Sequence, residues 1–428
     1  MPTLQIIDNP DKKDWKAFLS RPGFPSEDLG PVVQNILEEV KKYGDKAVLQ
    51  YSLLFDQVNL SDLAVQEEEI ILSENKLSEK LKSAIRLAKK NIESFHSNQL
   101  IKTKSIETQP GIRCWQKAVA IEKVGLYIPG GSAPLFSTLL MLGIPAMIAG
   151  CGEIVVCTPA QKDGTIHPAI LYVAKLLGIS KLFKIGGVQA VAAMAYGTET
   201  VPQVYKIFGP GNQYVTQAKK LIQLEGIAID MPAGPSELAI YADETAIPAY
   251  VAADLLSQCE HGADSHVILV TDNRIFADKV NLAIEEQIDK LPRKSQAEKS
   301  VAGSKIFILS GQQDSMELIN MYAPEHLILA CRGAEELAEK VRNAGSVFIG
   351  NFAPESAGDY ATGTNHTLPT NTFARAYSGV NIDSFMKKIS FQLLTREGLA
   401  GIGNTVIEMA RAEGLQAHAE AIKIRFKQ

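Results

Sequence analysis

From Val32 to Leu53 and from Leu77 to Phe95, apolar residues recur at three- and four-residue spacing among lysines and glutamates, the period of amphipathic helices. After Gly111 the rhythm changes to short apolar runs closed by Gly or Pro. VGLYIPGG (124–131), EIVVCTPA (153–160), KLFKIGG (181–187) and VYKIFGPG (204–211) predict strands. The apolar stretch after Gly131, AILYVAKLLG (169–178), VQAVAAMAYG (188–197) and NQYVTQAKKLIQ (212–223) predict the helices around them. A second run of the same kind follows. SELAIYAD (236–243), SHVILVTD (265–272) and KIFILS (305–310) predict strands, with helices at VAADLLSQCEHG (251–262) and near 276–290. From Ser384 the pattern is helical again, through EGLQAHAEAIKIRF (413–426). Strands alternating with helices of this length imply parallel, doubly wound sheets covered on both faces. The expected organisation is a mainly helical region (1–105), two α/β domains (106–233 and 234–380) and a helical tail (381–428).

Composition narrows the class. A chain of 428 residues exceeds what one core holds, and 46% hydrophobic with 21% charged residues is an ordinary globular balance. A formal charge of -5 offers no basic excess for a phosphate backbone, so no nucleic-acid partner is expected. The stretch MPTLQIIDNPDKKDWKAF lacks the basic start and apolar run of a signal peptide. The longest apolar stretch, Pro134 to Cys151, is broken by Ser137, Thr138, Gly143, Pro145 and Gly150, which suits a buried helix better than a membrane span. Five cysteines (Cys114, Cys151, Cys157, Cys259, Cys331) without a CxxC pair suggest reduced thiols in a cytoplasmic protein.

Candidate chemistry concentrates in PESAGDYATGTNH (354–366) and in the Pro324-Glu325-His326 triplet upstream. Together they carry Glu325, Glu355, Asp359, His326 and His366, two of the chain's seven histidines, in Gly/Ser/Thr-rich sequence expected to be loop. Pro324 disfavours a helix running through Ala323, so Glu325 and His326 are expected in a turn or at a helix start. A Glu that activates water beside a His that accepts a proton suits oxidation and hydrolysis equally. A Glu placed to favour a helix dipole is the alternative. Gln258 and His261, at i and i+3 near a helix end, share a face and could both ligate a divalent metal; a capping histidine before Gly262 is the other reading. Asp359 could be a turn former, and His418, on a stripe with Leu415 and Ile422, a core histidine. His266 reads as surface or core, His96 and His167 as structural, and Glu355 as structural. In the first α/β domain, strands ending in Gly/Pro turns leave nucleotide binding and plain turn chemistry both open. GPGNQY (209–214) has Tyr214 where a dinucleotide fingerprint wants its third glycine. Were a dinucleotide bound, Tyr127 could stack, and Gln189 and Asn212 could hydrogen-bond from turn positions.

Taken together, the chain resembles the histidinol dehydrogenase family. The resemblance runs from about Val32 to the C-terminus and rests on VGLYIPGGSAPLFSTLLMLGIPAMIAGC, KIGGVQAVAAMAYGT, KIFGPGN, DMPAGPSE, LLSQCEHGADS, NMYAPEHL, SVFIGNFAPESAGDYATGTNHTLPT and EGLQAHAEA. It implies two Rossmann-like domains and an NAD-dependent homodimer with one zinc per subunit, taking L-histidinol to L-histidine through the aldehyde with two NAD. Carried over by motif, Gln258, His261, Asp359 and His418 would be zinc ligands that also meet the substrate. Glu325 and His326 would be the acid/base pair. Ser236, His326, His366 and Glu413 would lie at the substrate, and Tyr127, Gln189 and Asn212 at NAD. The tail, with Glu413 and His418, would complete the partner's site. A zinc hydrolase would leave the glycine-punctuated α/β domain unexplained. A cysteine-dependent aldehyde dehydrogenase would need Cys151 or Cys259 as an activated thiolate, and neither has the surroundings for it.

Overall fold

The computed structural model describes residues 3–21, 29–100, 104–130, 133–231 and 234–426. Gly131 of the first strand-and-turn segment and Pro232 and Ala233 of DMPAGPSE lie outside them. The chain divides into two units, one comprising Met1–Gln99 and Ile121–Phe385, the other Leu100–Ala120 and Met386–Gln428.

Two parallel sheets organise the first unit. One has the order Lys181–Lys184, Glu153–Thr158, Lys123–Tyr127, Lys206–Phe208, Ala228–Ile229. Counted along the chain this is 3-2-1-4-5, with a helix after each of the first four strands. The winding reverses between Lys123–Tyr127 and Lys206–Phe208, where such sheets open a crevice for ligands. The other sheet has the order Gln5–Asp8, Lys305–Ile308, His266–Thr271, Glu237–Ala242, His326–Ala330, Ser346–Ile349. Its last five strands repeat the 3-2-1-4-5 winding, and Gln5–Asp8 adds a parallel edge. The α/β, doubly wound expectation therefore holds for both sheets. Every residue of Glu237–Ala242, His266–Thr271 and His326–Ala330 is buried. Strands covered on both faces read as unbroken apolar runs, which is why these segments lack alternation.

Helices form where the periodicity places them. Gly30–Tyr43 buries Val33, Ile36, Leu37 and Val40 in the core that also holds the Gly187–Tyr196 helix. Glu79–Ser97 starts at Ser78, whose hydroxyl accepts the Leu81 N–H at 3.2 Å and satisfies an orphan donor of the first turn. Phe136–Ala149 is almost wholly buried despite Pro145, and among the described residues no helix is long and apolar enough to cross a membrane.

Three segments differ from the sequence reading. Gln5–Asp8, placed in a helical region, is the added edge strand. Glu325 sits at a bend, near the expected turn, but His326 is in neither a turn nor a helix start: Pro324 does close the Gln312–Tyr322 helix, after Ala323 at φ 51°, and the chain then enters a buried strand at His326. Met386–Leu394, read as helical, is a strand in which Ile389, Phe391 and Leu393 alternate. It pairs antiparallel with Ile112–Ala120, stacking Phe391 on Trp115 at 5.4 Å. Residues 106–120, assigned by sequence to the first α/β domain, thus belong to the second unit, with the Arg396–Ala412 and Gln416–Lys423 helices.

Candidate active site

A cavity of about 1080 Å³ opens at the C-terminal ends of the five-stranded sheet, lined among others by Tyr127, Thr158, Gly187, Gln189 and Asn212. Its size suits a large organic ligand. Tyr127 ends the central strand, and its hydroxyl accepts the Gly187 N–H at 3.2 Å. Burial pushes that phenol up to about 12, so it stays neutral. Gly187 opens its helix at φ 62°, where an added Cβ would also meet Gln189 Oε1 at 2.8 Å. Gln189 is fully buried, with Oε1 lacking a hydrogen-bond partner among the described residues and Nε2 3.5 Å from Asp56 Oδ2. A buried orphan acceptor facing a cavity points to a ligand. Asn212 caps the Gln213–Leu224 helix, its Oδ1 accepting the N–H groups of Tyr214 and Val215, each at 3.1 Å. Any contact it makes with a ligand therefore falls to Nδ2. The preceding turn depends on Gly209 (φ 125°), where a Cβ would lie 2.0 Å from the Tyr127 carbonyl oxygen. Asp230 accepts the Gly209 N–H at 2.8 Å, and Lys219 donates to the Gly209 carbonyl at 2.9 Å while pairing with Asp230. The three residues expected at a dinucleotide are thus gathered in one cavity, beside two helix N-termini.

The second cluster occupies the opposite kind of edge. His326 begins its strand, so the cluster sits at the N-terminal edge of the six-stranded sheet. Nδ1 lies 3.3 Å from the Glu237 carbonyl oxygen, an acceptor only, so Nδ1 carries a proton and Nε2 is the working nitrogen. Nε2 is 3.5 Å from Asp359 Oδ1, and Nδ1 is 3.7 Å from Glu325 Oε2 and 3.9 Å from Glu355 Oε1. Glu325 Oε2 also accepts the Glu237 N–H at 2.9 Å. Glu355 and Asp359 stand on a short helix, Glu355–Tyr360, where the sequence reading expects loop. The four-residue separation puts both carboxylates on one face.

Ligand atoms of His261, Glu355 and Asp359 lie within 4.8 Å of one another. Gln258, buried near the end of the Pro248–Cys259 helix, has neither Oε1 nor Nε2 hydrogen-bonded among the described residues. An orphaned amide oxygen, an imidazole and a carboxylate fit a divalent cation such as zinc. The electrostatics agree. Burial pushes Glu325 and Glu355 up to about 8, against the lowering effect of His326. His326, which burial alone would lower, is held up at about 10 by Glu355, Glu325 and Asp359. Asp359 stays below the usual carboxylate range, since the pull of His326 outweighs burial, while burial lowers His261. Three carboxylates crowded around one imidazole make ionisation of the glutamates costly, and a cation offsets that cost.

His366 touches the same cluster, Nδ1 2.9 Å from the Asp359 carbonyl oxygen and Nε2 3.2 Å from Thr138 Oγ1. Ser236, half-buried, directly precedes Glu237 and accepts the His266 N–H through its carbonyl at 3.1 Å. Glu413 and His418 lie in the second unit, at the end of one helix and within the next. Both are exposed there, so the stripe with Leu415 and Ile422 does not make His418 a core residue. His266 is core, with Nδ1 2.8 Å from the Tyr322 hydroxyl. His96 is buried against Gln99, and His167 caps a helix. Glu355, read from sequence as structural, belongs to the cluster, and its i, i+4 spacing to Asp359 was the available signal. Glu237 was missed because nothing in SELAIYAD marks it. Burial pushes the Cys151 thiol up to about 11 and that of Cys259 to about 12, far from an activated thiolate.

Three comparisons bear on this arrangement. The family model described as histidinol dehydrogenase matches residues 19–426. The chain is similar to a histidinol dehydrogenase from Bacteroides thetaiotaomicron, 56% identical over 423 residues that cover 99% of each chain. It is 47% identical to one from Escherichia coli over 413 residues, 96% of this chain and 94% of that one. The crystal structure of histidinol dehydrogenase from Elizabethkingia anophelis matches with a TM-score of 0.97 at 51% identity, covering 99% of this chain and 98% of that one.

Proposed function

The chain belongs to the histidinol dehydrogenase family, and from that premise we propose that it oxidises L-histidinol to L-histidine through the aldehyde, consuming two NAD, at the end of histidine biosynthesis. The observation that carries this reading is the convergence of buried Glu325 and His326 with half-buried Asp359 and exposed His261 on one cluster. Such a cluster provides a proton acceptor, a water activator and a cation site together.

Zinc, one per subunit, would be held by Gln258, His261 and Asp359 with His418 of the partner subunit, supplying a Lewis-acid anchor for the substrate's imidazole and amine. NAD, accepting hydride, would lie in the cavity bearing Tyr127, Gln189 and Asn212. Ser236, His366 and Glu413 of the partner subunit would orient the substrate around that anchor. With a cation offsetting the carboxylates that otherwise hold the imidazole protonated, neutral His326 takes the hydroxyl proton at Nε2 as hydride leaves the alcohol carbon for NAD, giving the aldehyde. Glu325 then takes a proton from water as the water oxygen bonds to the aldehyde carbon and protonated His326 returns its proton to the aldehyde oxygen, giving the hydrate. His326 takes a hydrate proton as the second hydride leaves, and the carboxylic acid results. Retaining the aldehyde between steps keeps a reactive species out of solvent. The five cysteines form no disulfide, in keeping with a cytoplasmic enzyme. The homodimer with shared sites is supported by the exposure of Glu413 and His418, which leaves both able to meet another chain.

The test is reduction of NAD with histidinol, followed by absorbance. Two NADH per histidine formed, lost on chelation and restored by zinc, are expected. No NADH from metal-replete protein would overturn the reading.

A further inference from the structure

Glu325 and His326 both rest on the main chain of one residue, Glu237. Its N–H donates to Glu325 Oε2 at 2.9 Å, and its carbonyl oxygen lies 3.3 Å from His326 Nδ1. The two strands involved are neighbours, with His326 in register with Leu238. The side chain of Glu237 is 1% exposed. Its carboxylate is gripped by Arg21, with Nε on Oε1 and Nη2 on Oε2 at 2.8 Å, and Oε1 also accepts the Asn371 N–H at 2.7 Å. The same Arg21 Nη2 donates to the Tyr322 carbonyl at 2.7 Å, three residues before Glu325, and the guanidinium carbon lies 4.1 Å from the centre of the Tyr322 ring. One arginine thus ties the approach to the strand that carries the reacting pair to the first residue of its neighbour. A planar fork with bidentate geometry does this; a lysine cannot.

We propose that Arg21 is a positioning residue for the Glu325–His326 pair, acting through the carboxylate of Glu237 and the carbonyl of Tyr322. The proposal rests on the acid/base reading of that pair. Arg21 is placed through neither the cofactor cavity nor the metal cluster, so its loss changes the alignment of the proton acceptors and not the binding of histidinol, NAD or zinc.

Five zinc-loaded proteins decide it: Arg21→Lys, Arg21→Ala, Glu325→Gln and the double variants that join each Arg21 change to Glu325→Gln. With histidinal as substrate, Arg21→Ala is expected to lower kcat by about 10–100-fold, the range for residues that orient a reacting group through hydrogen bonds, with both KM values and zinc content unchanged. In the Glu325→Gln background the same change is expected to cost clearly less than in the wild type, because one of the two groups it aligns is already lost. Added guanidinium is expected to restore part of the Arg21→Ala rate. Should Arg21→Ala fail to fold, Arg21→Lys retains the charge, gives the same fall in kcat in milder form, and is expected to lose it in a Glu325→Gln background. Fully multiplicative losses, or a raised KM at unchanged kcat, would overturn the proposal. A wild-type rate in Glu325→Gln alone would instead remove the acid/base reading, and the proposal with it.

Discussion

His326 Nε2 stands 3.5 Å from Asp359 Oδ1, joining the first residue of a buried strand to the end of a short helix. In the proposed site the two have different duties, Asp359 on the metal and His326 on the substrate proton. Replacing His326 with Ala is therefore expected to lower both oxidations by about 10²–10⁴-fold, the usual worth of a positioned base. Zinc measured per subunit should remain at one equivalent. Metal lost along with activity would make His326 a ligand.

Glu325 is assigned to only one of the two steps. Glu325→Gln is expected to slow histidinal oxidation by about 10²–10⁴-fold while histidinol oxidation to the aldehyde changes by less than about tenfold. Single-turnover traces with each substrate separate the steps. Equal losses would end the division of labour.

The tail is expected to serve the neighbouring subunit. Inactive His261→Ala and His418→Ala proteins, mixed after subunit exchange, should form heterodimers with one intact site. Random pairing then restores about one quarter of wild-type activity, since half the dimers each carry one of two working sites. No recovery after verified exchange would mean that each site is built within one chain.

His266 supplies a stability test away from the chemistry. Burial pushes its imidazole down to about 3, and it sits neutral beside the Tyr322 hydroxyl. An unfolded histidine titrates near ~6.5, so between that value and about 3 the unfolded chain binds the extra proton. Stability should accordingly fall with decreasing pH, by at most about 1.4 kcal/mol per pH unit from this group. Urea unfolding of the wild type and of His266→Gln, compared from neutral to acid pH, should show a shallower decline in the variant. Parallel profiles would show that His266 titrates normally.

Much of the fold was legible because local pattern and tertiary environment agree. The runs at 123–127, 153–158, 237–242 and 266–271 are apolar because both faces are covered, and glycine turns punctuate them. Gln5–Asp8 and His326–Ala330 were not legible, for a shared reason. Each is a four- or five-residue strand that owes its state to hydrogen bonds from a distant neighbour, Lys305–Ile308 in one case and Glu237–Ala242 in the other. Short apolar segments carry no periodicity that separates strand from helix or turn.

By itself the sequence determined the alternation of strands and helices, the family through its motifs, and the residue types available for proton and metal chemistry. These depend on local spacing and identity, which a linear chain displays. Tertiary structure alone decided that the candidate cluster lies at the N-terminal edge of its sheet, that Glu355 joins it, and that Arg21, some three hundred positions from Glu325, bonds both the Glu237 carboxylate and the Tyr322 carbonyl beside it. Those relations come from the parallel pairing of strands far apart in sequence. Burial and neighbouring charges together then set the charge of each group, and no local pattern encodes either effect.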